Sequence, residues 1–288
     1  MTRGKWRWPK GQSPSSEFRA LIEGLDFMLI DWQSVFRRVV QQGDGRYESN
    51  IAAVGLGLLC LNYASAVANL ARLGLDSFAP ACASARGALE VAARGAWLVQ
   101  PDDPMDREGR WLGWYGALER LYANLAADFR SHPQVAESMA TTSQHYMQYR
   151  RKIEALLPTG HKAVGAASVE QMLIQLAAAQ LYPLYRYTSQ YQHGEPLALE
   201  SVVDIKRQRA NPTDSSPIYE VSSQTIQVLS RATEASWVLP VQASSNALAL
   251  CAEHVFPRSR VAQVELARLK ERFSVINDHL NAMRSRNA

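Results

Sequence analysis

Apolar residues recur every three or four positions along most of the chain. In the first such run Phe18, Leu21, Ile22, Leu25, Leu29, Trp32, Phe36 and Val39 fall on one side of a helix. Ser13-Pro14 offers a cap and a first-turn proline for it, and the glycines of "QQGDGR" end it. A second helix is predicted over about 49–74. It is apolar nearly all round, which predicts a place at the centre of the fold. The third follows Asp76-Ser77 and stops before Pro101, and it is crowded with alanine and glycine from Ala79 to Gly95. Small residues let another helix approach closely, yet Arg86, Glu90 and Arg94 stand four apart on this otherwise apolar element.

Further helices are predicted at about 104–131, 133–157 and 168–193, the last with a break or kink near Tyr182 because Pro183 follows it. Residues 194–216 read as a connection with Pro196, Pro212 and the basic "KRQR", which holds a short helix around 201–209 or is a functional loop. Helices resume at about 217–238, 241–255 and 258–284. In the last, Leu266, Leu269, Phe273, Ile276, Leu280 and Met283 form a coiled-coil-like seam. That seam (266–283) can pack inside the protomer or bind a partner protein or a second copy. Strand-period alternation and internal repeats are absent from the sequence. The fold class is all-α: a multi-helix bundle with added C-terminal helices. The expected layout is a basic arm over 1–15 and one helical domain over 16–288, with its core at about 16–193.

Composition narrows the function classes. The 288 residues are 47% hydrophobic and 20% charged, as in a globular chain. Net charge is +4, and all but six of the 31 basic residues are arginine, which suits pairing with carboxylates or phosphates. Cysteines at 60, 82 and 251 are too few and too scattered for a disulfide framework. No C-x-x-C pair and no histidine ligand spacing occurs, so neither a metal nor a cofactor is expected. Asn62, Asn69 and Arg72 interrupt the apolar run from Ile51, which therefore reads as a core helix rather than a membrane span, and a cytoplasmic protein is the expectation. The arm alternates Arg3, Lys5, Arg7 and Lys10 with Trp6 and Trp8. It reads as a solvated tail or as a strip that lies on phosphates and stacks on bases.

The densest candidate chemistry lies in "YPLYRYTSQYQHGEP", from Tyr182 to Pro196. Seven residues turn a helix through nearly two revolutions, so Arg186 and His193 share a face about 10 Å apart along the axis. Tyr182 and Ser189 are expected on that face, with Leu184 and Tyr191 on the packing side. A histidine in the last turn meets the negative end of the helix dipole, which favours its charged form.

This segment resembles a known group. Arginine followed by histidine near a helix end is the signature of the HEPN (higher eukaryotes and prokaryotes nucleotide-binding) superfamily. "YRYTSQYQH" also resembles a Tyr-Arg-x-x-Ser-x-x-x-His pattern of helical bacterial proteins associated with it, and "SARGALEVAARGAWLVQPDDP" resembles their earlier helix. The likeness spans about Phe78 to Pro196. It implies a metal-independent endoribonuclease or an RNA- or nucleotide-binding protein that works as a homodimer, its two arginine–histidine helices forming one basic cleft. Arg186 and His193 would be catalytic, Glu90 would orient one of them, and Arg86 or Arg94 would hold a neighbouring phosphate. Tyr187 stands where active members often carry a polar residue. A second arginine–histidine pair, Arg272 and His279, reads as a solvated helix edge. Taken without the resemblance, Arg86, Glu90, Arg186 and His193 also fit a buried polar network that fixes helix register in a non-enzymatic scaffold, one that binds a partner protein or a small ligand between its helices.

Overall fold

A computed structural model describes residues 5–8, 13–42, 46–193, 232–256 and 263–285. Among these the chain forms nine α-helices and no strand: α1 (Ser16–Gln42), α2 (Glu48–Ala71), α3 (Phe78–Val99), α4 (Pro104–Asp128), α5 (Pro133–Glu154), α6 (Val169–Gln175), α7 (Tyr182–His193), α8 (Val238–His254) and α9 (Gln263–Ser285). The all-α bundle expected from periodicity is the architecture observed. The expected connection over 194–216, the expected helix over 217–238 as far as residue 231, the arm residues Arg3 and Lys10, and the side chains of Met283 and His193 lie outside the described residues, and the described end of that helix, 232–237, forms turns instead.

The centre of the bundle is α3, not α2. Helix α3 packs against α2, α6, α7 and α8, and from Ala92 to Val99 only Arg94 escapes burial. The reason is side-chain size. A Cβ on Gly95 would sit 3.4 Å from the Ala53 carbonyl and from Leu56, so the α2 backbone lies directly against α3. Helix α2 buries one side only; Ile51, Leu58, Leu59 and Tyr63 are 40–50% exposed.

Helix α1 is capped by Ser15, one residue beyond the expected Ser13-Pro14. The Ser15 hydroxyl accepts from the Phe18 amide at 3.1 Å, and Glu234, just before α8, accepts from the Ser15 amide at 2.8 Å. Glu108 of α4 does the same for α2, accepting from the Ser49 amide at 2.9 Å and hydroxyl at 2.6 Å. Residues 5–8 of the expected arm are docked rather than free. The Trp8 indole donates to the Ala71 carbonyl at 2.9 Å, and Trp6 and Trp8 both pack on Phe18. The two tryptophans are thus engaged with the protein's own core and do not stand out as a base-stacking strip.

The C-terminal seam packs inside the chain. Leu266, Leu269, Ile276 and Leu280 are buried against α1 and α8. Arg272 is no solvated edge: with Arg268 it holds Asp31 of α1, at 2.9 and 3.2 Å. The stretch 168–193 breaks earlier than expected, at Ala177, whose φ of 54° is left-handed. A 3-10 turn follows, and Pro183 then falls in the first turn of α7, where a missing amide hydrogen costs nothing.

Helices α4 and α5 form a hairpin that leaves the body. Helix α4 buries nothing past Gly116 and α5 buries no residue. Aromatic pairs hold the two together, Tyr115 on Tyr146 and Tyr149 at 4.8 and 4.9 Å, beside an Arg150–Glu119 ion pair at 3.0 Å. The chain then crosses back over α4, where the Val164 amide donates to the Gly109 carbonyl at 2.9 Å.

All three cysteines are buried and unpaired. Burial pushes the Cys82 thiol far above its ordinary value, and a hydrogen bond with Cys251, then burial, does so for Cys60. Thiolates are the reactive form. With Cys251 sealed by burial as well, folded protein at pH 8 is expected to leave all three thiols unlabelled by iodoacetamide, and denatured protein to be labelled at three. A thiol that reacts before unfolding would contradict this packing.

Candidate functional site

The charged ladder of α3 faces α7. Arg86 reaches across with its whole guanidinium: Nε donates to Ser189 Oγ at 3.0 Å, Nη2 to the Tyr185 hydroxyl at 2.9 Å, and Nη1 to Gln192 Oε1. The same Nη1 lies 3.1 Å from Glu90, and the group sits 5.1 Å above the Tyr185 ring. Glu90 holds Arg94 on its other oxygen at 2.8 Å. The Ser189 hydroxyl donates to the Tyr185 carbonyl at 2.7 Å. Burial, then the Glu90 charge, raises the Tyr185 phenol above its ordinary value, partly offset by Arg86. The phenol stays neutral and accepts from the arginine.

Sequence spacing placed Tyr182, Arg186, Ser189 and His193 on one functional face. The face turned to α3 is instead Tyr185, Ser189 and Gln192, set off by four and three residues. Ser189 is common to both. Tyr182 is half-buried and stacks on Tyr185 at 6.2 Å. Arg186 is exposed. His193 closes α7. Arg86, Glu90, Arg94 and Ser189 are thus brought together, and Arg186 is not part of that network. Arg86, expected as a phosphate holder, has four of its five N–H donors taken up by the protein. Arg94, bonded only to Glu90 among the described residues and 29% exposed, is the freer cation.

A cavity of about 400 Å³ opens beside the ladder. Its floor is α3 at Ala83, Ser84, Gly87, Glu90 and Val91, with Arg86; Tyr63 of α2 and Gln192 of α7 form its sides. Sequence reading passed over Tyr63 because it sits inside the apolar run of α2, and over Gln192 because it lies one position before the histidine.

The fold also gathers Asp103, Asp106 and His161 at the start of α4, which linear spacing had not paired. His161 Nε2 lies 3.2 Å from Asp103 and 3.8 Å from Asp106. The Met105 amide, then His161, holds the Asp103 carboxyl below its usual range. Asp103 is also the α4 N-cap, so these contacts close the helix start.

No family model matches the chain, and neither a curated protein nor a solved structure does.

Proposed function

We propose that this protein is a HEPN-like, metal-independent endoribonuclease that acts as a homodimer, with α7 as its working helix. Arg186 neutralises charge on the scissile phosphate, and His193 moves protons. The 2′-hydroxyl of the substrate attacks its own phosphorus. The new O2′–P bond forms, the P–O5′ bond breaks, the attacking hydroxyl gives up its proton, and the departing O5′ takes one. The products are a 2′,3′-cyclic phosphate and a 5′-hydroxyl. Histidine suits both transfers because its ordinary pKa lies near neutrality.

The observation that supports this reading is the division of labour on α7. Tyr185, Ser189 and Gln192 bind Arg86 and fix the helix to α3, while Arg186, the residue after Tyr185, is exposed and available to an anion. Arg94 adds a second partly exposed cation nearby. Support for a second copy comes from α2, which carries no charged side chain from Ser49 to Ala71 yet exposes Ile51, Leu58 and Leu59.

The test is cleavage of a mixed RNA pool in chelator. Wild type is expected to cut, and His193→Ala and Arg186→Ala to cut at least about a hundredfold more slowly. Arg186→Ala should keep wild-type stability to within about 0.5 kcal/mol, as an exposed substitution does, and wild type should sediment as a dimer. Uncut RNA with pure wild type, or a monomer that cuts at full rate, defeats the respective part of the proposal. A second reading, a scaffold without chemistry, draws on the engagement of Arg86 by Tyr185, Ser189, Gln192 and Glu90; intact RNA would leave that reading standing.

A further inference from the structure

The cavity between α2, α3 and α7 holds chemistry that strand cleavage does not use. The Tyr63 ring lies across Gly87, where a Cβ would meet ring carbons at 3.1 to 3.2 Å. That glycine lets the ring lie close to α3, as one flat wall above a floor that includes Ala83 and Val91. The polar groups are unequal. Glu90 gives one oxygen to Arg86 and one to Arg94, and each carboxylate oxygen retains a further lone pair. The Gln192 oxygen is occupied by Arg86, which leaves its amide hydrogens.

We propose that this cavity binds a nucleobase and selects guanine. The inference rests on the RNA reading above and specifies which base of the substrate is held beside α7. A flat wall suits any base, since each has a π face. Selection comes from Glu90. Guanine presents two adjacent donors, N1–H and the N2 amino group, which match the paired oxygens of a carboxylate. Adenine and cytosine set their amino group beside a ring-nitrogen acceptor, and uracil flanks its single N–H with two carbonyls, so each would point a lone pair at a carboxylate. Reading a base by its Watson–Crick edge while an aromatic ring stacks on its face is a recurrent mode of recognition outside a duplex. The volume of about 400 Å³ admits a base with its ribose.

The experiment is calorimetric titration of the full-length protein, in chelator, with the 5′-monophosphates of guanosine, adenosine, cytidine and uridine. Guanosine monophosphate should bind at least about tenfold more tightly than the others, one good directional pairing being worth that much. Glu90→Gln should abolish the preference, because an amide presents a donor where guanine also donates. Tyr63→Leu, a change at a 40% exposed position, should weaken all four alike. Equal binding of the four, no binding at millimolar concentration, or a preference that survives Glu90→Gln overturns the inference. These nucleotides lack a scissile linkage, so the titration is independent of cleavage. Guanine preference without RNA cutting would remove the nuclease reading alone, and cutting without base preference would remove this inference alone.

Discussion

Asp26→Ala is expected to destabilise the fold by about 3–5 kcal/mol, because it removes one partner of a buried ion pair. Its partner Arg72 ends α2, and the Arg72 side chain is 5% exposed against 11% for Asp26. One guanidinium nitrogen of Arg72 donates to the Ala68 carbonyl at 2.9 Å, another bonds Asp26 of α1, and the group lies 5.8 Å from the Trp6 ring. A guanidinium cannot shed its proton to escape burial. Reaching water means parting α1 from α2 or lifting Trp6. The charge is therefore costly once its carboxylate goes. The double variant Asp26→Leu with Arg72→Met should recover most of the loss, since a buried pair contributes little net stability over apolar residues of similar size. Urea unfolding of the single and double variants measures both. A loss below about 1 kcal/mol for Asp26→Ala would show that the pair is solvated.

Gly113→Ala is expected to destabilise as well, against the intrinsic preference of its helix. Alanine is favoured over glycine inside a helix by about 1 kcal/mol. At Gly113, however, a Cβ would fall 1.5 Å from the Val164 carbonyl oxygen and 2.5 Å from its carbon, and at Gly109 one would fall 2.4 Å from the Lys162 carbonyl. These are backbone atoms, so no side chain can swing aside. The segment crossing α4 has to lift and surrender the Val164–Gly109 hydrogen bond. Overpacking of this kind costs about 1–3 kcal/mol or more, which outweighs the helix gain. Gly55→Ala is the matched control. It lies on exposed α2 with nothing within 4 Å of its added carbon, so it should stabilise by up to about 1 kcal/mol. Thermal melts should separate the two in opposite directions, with the 158–167 segment of Gly113→Ala becoming protease-sensitive. A Gly113→Ala protein as stable as Gly55→Ala would contradict the crossing.

These two sites mark where the sequence was legible and where it was not. Periodicity located the helices of the body well because each of them buries a stripe, and the α9 seam is a direct instance. It misjudged which helix is central. Hydrophobicity pointed to α2, but closeness of approach depends on size, and the alanines and glycines of α3 decide it. It also missed the break at Ala177, since no glycine or proline marks that left-handed residue. At the site, the pairing of the α3 ladder with α7 was visible in Arg86, Glu90 and Ser189. The rotation of α7 was not. One residue turns a helix by about 100°, so stripes beginning at Tyr182 and at Tyr185 were both open, and only packing against α3 chooses between them. Gly109 and Gly113 read as ordinary helix glycines until the returning chain is seen to cross them.

The most direct test of the central claim is the chemistry of the cut ends. Wild-type protein incubated with RNA in chelator should yield fragments whose masses show a 2′,3′-cyclic phosphate at one terminus and a 5′-hydroxyl at the other, and His193→Ala should yield almost none. RNA left whole, or fragments ending in a 3′-hydroxyl and a 5′-phosphate, would contradict a cleavage carried by Arg186 and His193.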